Sequence, residues 1–187
     1  PTRGSSRLTK RHHIAAVVQT LHERAALQET IVLETRPLLQ GARLTTWELQ
    51  RMGAPNRLVV DGAGPYLISR GLVDAVLVGA DRVAANGDTA NKIGTFSLAL
   101  AARHADVPFV VVAPESTIDM ATPSGENIET EYRDSQEVVS FGGIMIAPRN
   151  TEAINPAFDL TPAGLITAIV TDKRVIRLDQ GESLDSI

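Results

Sequence analysis

Cysteine is absent from all 187 residues, which excludes disulfides, thiolate catalysis and cysteine-ligated metals within this chain. An excess of positive charge is missing too: 18 Lys and Arg against 22 Asp and Glu leave a net charge of -4, which argues against a polyanion-binding surface. No apolar run approaches the ~20 residues needed to cross a bilayer. The start, Pro1 to His13, is polar and carries Arg3, Arg7, Lys10 and Arg11, so it offers no secretory apolar stretch. Internal repeats and low-complexity segments are lacking. A cytoplasmic protein that binds neither nucleic acid nor membrane is the expectation.

The chain does have aliphatic residues. Its hydrophobic content is 43% with only 4% aromatics, a balance that suits a buried parallel sheet covered by helices. Ile14, Val17, Val18, Leu21 and Ala25 recur at helical spacing. Short apolar runs at Thr30–Glu34, Arg57–Asp61, Asp74–Val78 and Pro108–Ala113 read as strands. Between them lie candidate helices at Thr45–Met52, with a capping box at its start and Gly53 at its end, at Pro65–Arg70 and at Thr95–His104. Thr161-Pro162 reads as an N-cap followed by proline, opening a helix over Ala163–Val170. Strands alternating with helices predict a Rossmann-like α/β fold, a mainly parallel sheet with helices on both faces. Residues 1–187 are expected to form one domain with a frayed tail over 179–187. The polar start gives the first helix little to pack against, so an N-terminal portion is expected to be missing or to lie on another chain.

Ligands of such folds bind beyond the carboxyl ends of the strands. There the chain places Asp81, directly after Val76-Leu77-Val78, followed by Gly87, Asn91, Lys92, Gly94 and Thr95. A carboxylate moves protons, and a lysine with a helix N-terminus favours an anion, so a phosphorylated substrate is plausible here. A turn aspartate and a solvated first helical turn remain the simpler alternatives. The loop after the first strand packs Glu34, Arg36, Gln40 and Arg43 together. Gln40 can hydrogen-bond a substrate hydroxyl, while ion pairing of Glu34 with Arg36 is the plainer account. Asp159 either binds ligand or caps the following helix. Pro114–Arg133 is polar and reads as a long functional loop. Neither a G-x-G-x-x-G nor a nucleoside triphosphate loop is present. His12, His13, His22 and His104 lack the spacing of a zinc site, and Ser116 and Ser124 lack a nucleophile elbow.

Four stretches together closely resemble one family: Glu34–Thr45, Gly79–Thr95, Ala113–Asp119 and Asn155–Pro162. They are similar to the S-methyl-5-thioribose-1-phosphate isomerases, a branch of the translation-initiation-factor 2B-like proteins. The resemblance runs from about Ile14 to Leu178. It implies a C-terminal Rossmann-like domain preceded by a helical one, a homodimer, and an aldose–ketose isomerisation in methionine salvage without metal or organic cofactor. It further implies that Asp81 is catalytic and that Gln40, Asn91 and Lys92 bind substrate. The family's catalytic cysteine would fall at or just before Pro1, where this chain reads Pro1-Thr2-Arg3-Gly4. Its phosphate-binding arginines lie mainly in the N-terminal domain. Ribose 1,5-bisphosphate isomerase and a non-catalytic translation-factor subunit are the alternatives within the same group. The resemblance favours the methylthioribose enzyme through the unbroken Gly87–Lys92 and Glu34–Arg43 motifs.

Overall fold

The structure is a computed structural model that describes residues 13–185. The polar start through His12 and the last two residues of the tail lie outside the described residues. The elements run α1 (His13–Glu23), β1 (Thr30–Leu33), a π turn (Gly41–Thr45) leading into α2 (Thr46–Met52), β2 (Asn56–Val59), α3 (Ala63–Ser69) and β3 (Val76–Val78). They continue as β4 (Arg82–Ala84), β5 (Thr89–Lys92), α4 (Thr95–His104), β6 (Phe109–Val112), β7 (Ile118–Asp119), α5 (Gln136–Val139), β8 (Ser140–Phe141) and β9 (Ile144–Met145). β10 (Phe158–Thr161), β11 (Ala168–Val170) and β12 (Val175–Ile176) complete the order.

Parallel pairing dominates the core. β3, β6 and β11 run parallel, with β12 antiparallel at the edge, and β1 pairs parallel with β2. Because side chains alternate across a strand, β3 serves two cores at once. Val76 and Val78 face Phe109, Val111 and Ile169 of the neighbouring strands together with Ile68 of α3 and Leu98, Ala99 and Ala102 of α4. Leu77 points the other way and packs with Val18 of α1, Leu49 of α2 and Val32 of β1. Helices thus cover both faces, as the Rossmann-like reading requires. Each fully buried Val, Ile or Phe contributes about 1.5–3 kcal/mol relative to an exposed one.

Several local expectations are corrected. Ala163–Val170 is not a helix: Ala163–Leu165 is a single 3-10 turn, and the apolar remainder becomes β11 paired to β6. Thr161 ends β10, is fully buried and caps nothing. β-branched Ile166, Ile169 and Val170 suit a pleated core better than a helix. The capping box at Thr45 does not form, because the coil already turns from Gly41 and Thr45 is itself helical. A second sheet, in the order β10-β5-β4-β7, was not foreseen; in it β5 is antiparallel to both β4 and β10. Within the tail Leu184 is buried in the main core, and its carbonyl accepts a bond from Arg174 Nη2 at 2.9 Å, while the other described residues from Asp179 on are exposed.

Candidate active site

Asp81 lies beyond Gly79 and Ala80 at the end of β3, immediately before β4, and its backbone N–H donates to the Ala90 carbonyl at 2.9 Å. That bond opens the β4–β5 hairpin and brings Asn91 and Lys92 back beside the strand end. β10 then pairs with β5, setting Asp159 opposite Asn91 and Phe158 opposite Lys92. The second sheet therefore collects residues distant in sequence at the end of β3. They surround a cavity of about 360 Å³ lined by Asp81, Arg82, Phe158, Asp159 and the segment from Ile128 to Glu131.

Charge in this cavity is unbalanced. Asp81, Glu129, Glu131 and Asp159 line it against Arg82 alone. Asp81 stands at the mouth with much of its surface open, yet the protein mass around its carboxyl still disfavours the ionised form. Burial therefore raises its pKa, the cations Lys92 and Arg133 pull it back, and Glu131 pushes it up again. A carboxyl that keeps its proton more readily is suited to donating it and later retrieving it. The acidic groups share the wall with Ala90, Ile128, Phe158 and Leu160.

Lys92 is half-buried, with Nζ 5.0 Å from the centre of the Phe158 ring, and Arg133 approaches the same ring at 5.6 Å. Burial and the neighbouring Arg133 lower the Lys92 pKa, while Asp81, Glu137 and Glu131 counter them. The aromatic ring holds the two cations near one another at a modest distance from Asp81. Asn91 and Lys92 end a strand rather than opening a helix. Asn91 Nδ2 donates to Thr95 Oγ1 at 2.9 Å, and that hydroxyl donates to the Lys92 carbonyl at 2.7 Å. The phosphate cradle expected at the N-terminus of α4 is already filled: Asp159 accepts the Gly94 and Phe96 amides at 2.7 and 3.1 Å. The anion favoured by that helix end is the protein's own carboxylate. Asp159 thus combines a capping and a cavity-lining role, but caps α4 rather than a following helix. Burial raises its pKa against those two amide bonds.

Gln40 lies in the loop after β1, where the coil begins, and lines neither this cavity nor a smaller one of about 180 Å³ between Arg36 and Pro156. Its Oε1 is buried without a hydrogen-bond partner. Asp81, Asn91 and Lys92 are brought together, and Gln40 stands apart from them. Among the described histidines, His13 and His104 are exposed and His22 is half-buried.

Arg82, Glu129, Glu131, Arg133 and Phe158 belong to the site without being singled out by the sequence. The 131–133 segment is held by non-local bonds, Ala157 N to Glu131 O at 2.9 Å and Arg133 N to Asn155 O at 2.9 Å. The polarity of the long loop was the available signal, but it did not select residues. Asp88, inside the same motif, is structural. Its carboxylate accepts the amides of Ala163 at 2.9 Å and Gly125 at 3.0 Å and the side chain of Asn86 at 2.9 Å.

The chain matches the Initiation factor 2 subunit family over residues 2–177. A probable bifunctional methylthioribose-1-phosphate isomerase/methylthioribulose-1-phosphate dehydratase of Nocardia farcinica is 58% identical over 85% of this chain and 29% of its own length. A methylthioribose-1-phosphate isomerase of Pelotomaculum thermopropionicum is 51% identical over 90% of this chain and 46% of its own. Among solved structures, 5-methylthioribose 1-phosphate isomerase from Pyrococcus horikoshii OT3 superposes with a TM-score of 0.86 at 46% identity, covering 88% of this chain and 46% of that one. The translation initiation factor eIF-2B delta subunit from A. fulgidus superposes at 0.82 with 39% identity, covering 87% and 47%. The chain spans half or less of the length of these relatives.

Proposed function

The chain belongs to the Initiation factor 2 subunit family, and from that premise we propose that it is the Rossmann-like C-terminal part of a methylthioribose-1-phosphate isomerase. The observation that carries this reading is Asp81: a carboxyl with a raised pKa at a strand end, flanked by Lys92 and Arg133 at a cavity mouth. The relatives' names favour the methylthioribose substrate over ribose 1,5-bisphosphate and over a non-catalytic subunit. A helical N-terminal part, a homodimeric assembly and a cytoplasmic location belong to the same proposal. No helix among the described residues is long and apolar enough to cross a membrane.

The 1-phosphate prevents the sugar from opening to a free aldehyde, so the bond between C1 and the ring oxygen must be broken with acid assistance. Protonated Asp81 donates to that oxygen, which becomes the C4 hydroxyl. The hydrogen on C2 is delivered to C1, the C2 hydroxyl gives up its proton, and C2 becomes the ketone. The Asp81 carboxylate, having lost its proton, is the acceptor for the one released at C2. Asn91 offers a donor and an acceptor to sugar hydroxyls, and Lys92 holds Asp81 within a titratable range.

The test is made on the full-length protein. Asp81→Asn retains shape and hydrogen bonding but cannot exchange a proton, so turnover of methylthioribose 1-phosphate should fall by ~10²–10⁴-fold with an unchanged circular dichroism spectrum. Turnover within a few-fold of the parent removes Asp81 from the mechanism, and a parent without isomerase activity overturns the function.

A further inference from the structure

Phe158 is half-buried and lines the cavity among charged groups. β10 pairs with β5 so that Phe158 stands directly opposite Lys92, and side chains so paired lie on one face of a sheet within reach of each other. The ring takes up two cations. Lys92 Nζ lies 5.0 Å and the Arg133 guanidinium carbon 5.6 Å from its centre, both within the range at which the negative face of an aromatic ring attracts positive charge. The two cations repel one another, so the ring works together with carboxylates: Glu131 accepts Arg133 Nε at 2.9 Å, and Asp81 and Glu137 act on Lys92.

Charged groups reach Asp81 from every neighbouring element. Arg82 adjoins it at the start of β4, Lys92 comes from β5 and Asp159 from β10. Glu129, Glu131 and Arg133 come from the segment before α5, and Glu137 of α5 acts on Lys92 and Arg133. The two cations that favour the ionised form of Asp81 are Lys92 and Arg133, and Phe158 is the side chain they share. Lysine carries its charge on a flexible four-carbon stem, so a seat for the ammonium decides how near Asp81 it stays.

We propose that Phe158 is a positioning residue whose ring seats the Lys92 ammonium and the Arg133 guanidinium beside the Asp81 carboxyl and thereby tunes the proton transfer that Asp81 performs. The transfer rests on the isomerase reading; the seating of the cations does not. The ring acts on Asp81 with two opposite signs. As bulk in the same cavity it adds to burial and favours the protonated form, whereas as a seat for cations it favours the carboxylate. An aliphatic side chain keeps part of the bulk and loses the seat.

The experiment titrates the Asp81 carboxyl by carbon NMR in the full-length protein, with the resonance assigned by its loss in Asp81→Asn. In Phe158→Leu the titration should move to higher pH than in the parent, because both cations leave the ring. Phe158→Tyr retains an aromatic face and should titrate with the parent. A downward move in Phe158→Leu means that the ring acts as shielding bulk, and no move means that it does not act; either overturns the proposal. So does Phe158→Tyr moving as far as Phe158→Leu. Made on a Lys92→Met/Arg133→Met background, Phe158→Leu should produce no upward move, since no cation remains to be seated, and an upward move there overturns the proposal as well. If Phe158→Leu fails to fold, pentafluorophenylalanine at position 158 keeps the shape and reverses the charge distribution of the ring; the same upward move is expected, and its absence is equally decisive. Turnover is read alongside. The limb of the pH–rate profile belonging to Asp81 should follow the carboxyl titration, and a limb that stays while the carboxyl moves overturns the tuning. A parent that titrates as expected without turnover sinks the isomerase reading and leaves the seating of the cations standing.

Discussion

Removing the Asp88 carboxylate should loosen the scaffold under the site by an amount that can be worked out from its bonds. The turn at Gly87, φ +89°, projects Asp88 between two other loops. One oxygen accepts the Ala163 amide at 2.9 Å and the other the Gly125 amide at 3.0 Å, so three segments are joined at one side chain. Hydrogen bonds to a charged group contribute about 1.5–3 kcal/mol each. Gly125 is buried and loses its bond fully, whereas half-buried Ala163 recovers part of its loss from water; the exposed Asn86 amide recovers nearly all. Asp88→Ala should therefore cost about 2–4 kcal/mol, and Asp88→Asn, which keeps one acceptor, roughly half of that. The pH dependence follows from the carboxyl's own shift. Burial alone would raise its pKa, but the amides of Ala163 and Gly125 and the Asn86 side chain outweigh it, and the pKa ends below the ordinary 3.8. The unfolded state then binds the proton more readily, so the stabilisation is present above pH 3.8 and is lost as the pH falls through the folded value. Urea unfolding of parent and variants, measured from neutral pH down into this range, should show a gap that narrows as Asp88 protonates. A gap under about 1 kcal/mol at neutral pH, below even a single neutral hydrogen bond, or one that stays constant into acid, would refute the reasoning.

Lys92→Ala removes a cation that holds the Asp81 pKa down; the limb of the pH–rate profile belonging to Asp81 should move to higher pH in the full-length enzyme, and an unmoved limb breaks the electrostatic link. Gly41→Ala drives a Cβ to 1.8 Å from the Leu33 carbonyl oxygen, a backbone atom that cannot rotate away; thermal denaturation should show a loss at or above the ~1–3 kcal/mol typical of overpacking. A melting temperature equal to the parent's means the loop shifts without cost.

Much of the main sheet is legible from periodicity. Val76–Val78 and Phe109–Val112 announce themselves as buried strands, and α1 and α4 as helices, because local preference and tertiary environment agree. Thr89-Ala90-Asn91-Lys92 does not. Only Thr89 favours a strand, and the segment becomes β5 because β4 and β10 supply backbone partners on both sides. Asp81, Asn91 and Lys92 could be named as candidates from the motif, but the backbone under the last two could not. Thr161-Pro162 carries a genuine local helix-start signal, overruled when Ile166 and Ile169 enter the core beside Phe109 and Val111. Arg133 and Phe158 lie 25 residues apart by their numbers and meet through the register of β10 and the 131–157 bonds, information that no window of sequence contains.

The electrostatics of the cavity bear on where a phosphate is held. Four carboxyl groups, Asp81, Glu129, Glu131 and Asp159, line the cavity with Arg82, while Lys92 acts on Asp81 and Arg133 is paired with Glu131 at 2.9 Å, and the Gly94 and Phe96 amides at the start of α4 are committed to Asp159. A doubly charged phosphate placed there would meet repulsion at short range without a helix end to offset it. Sugar hydroxyls meet no such penalty, since they donate to carboxylates and accept from Asn91. Under the isomerase reading, this part grips the ring and moves its protons. On the isomerase reading the phosphate is held by groups outside this cavity, which divides the labour of one active site between the two halves of the longer protein. Lys92 fits that division. Sandwiched near Phe158 with its own pKa lowered, it is better placed to keep Asp81 titratable than to serve as a phosphate anchor.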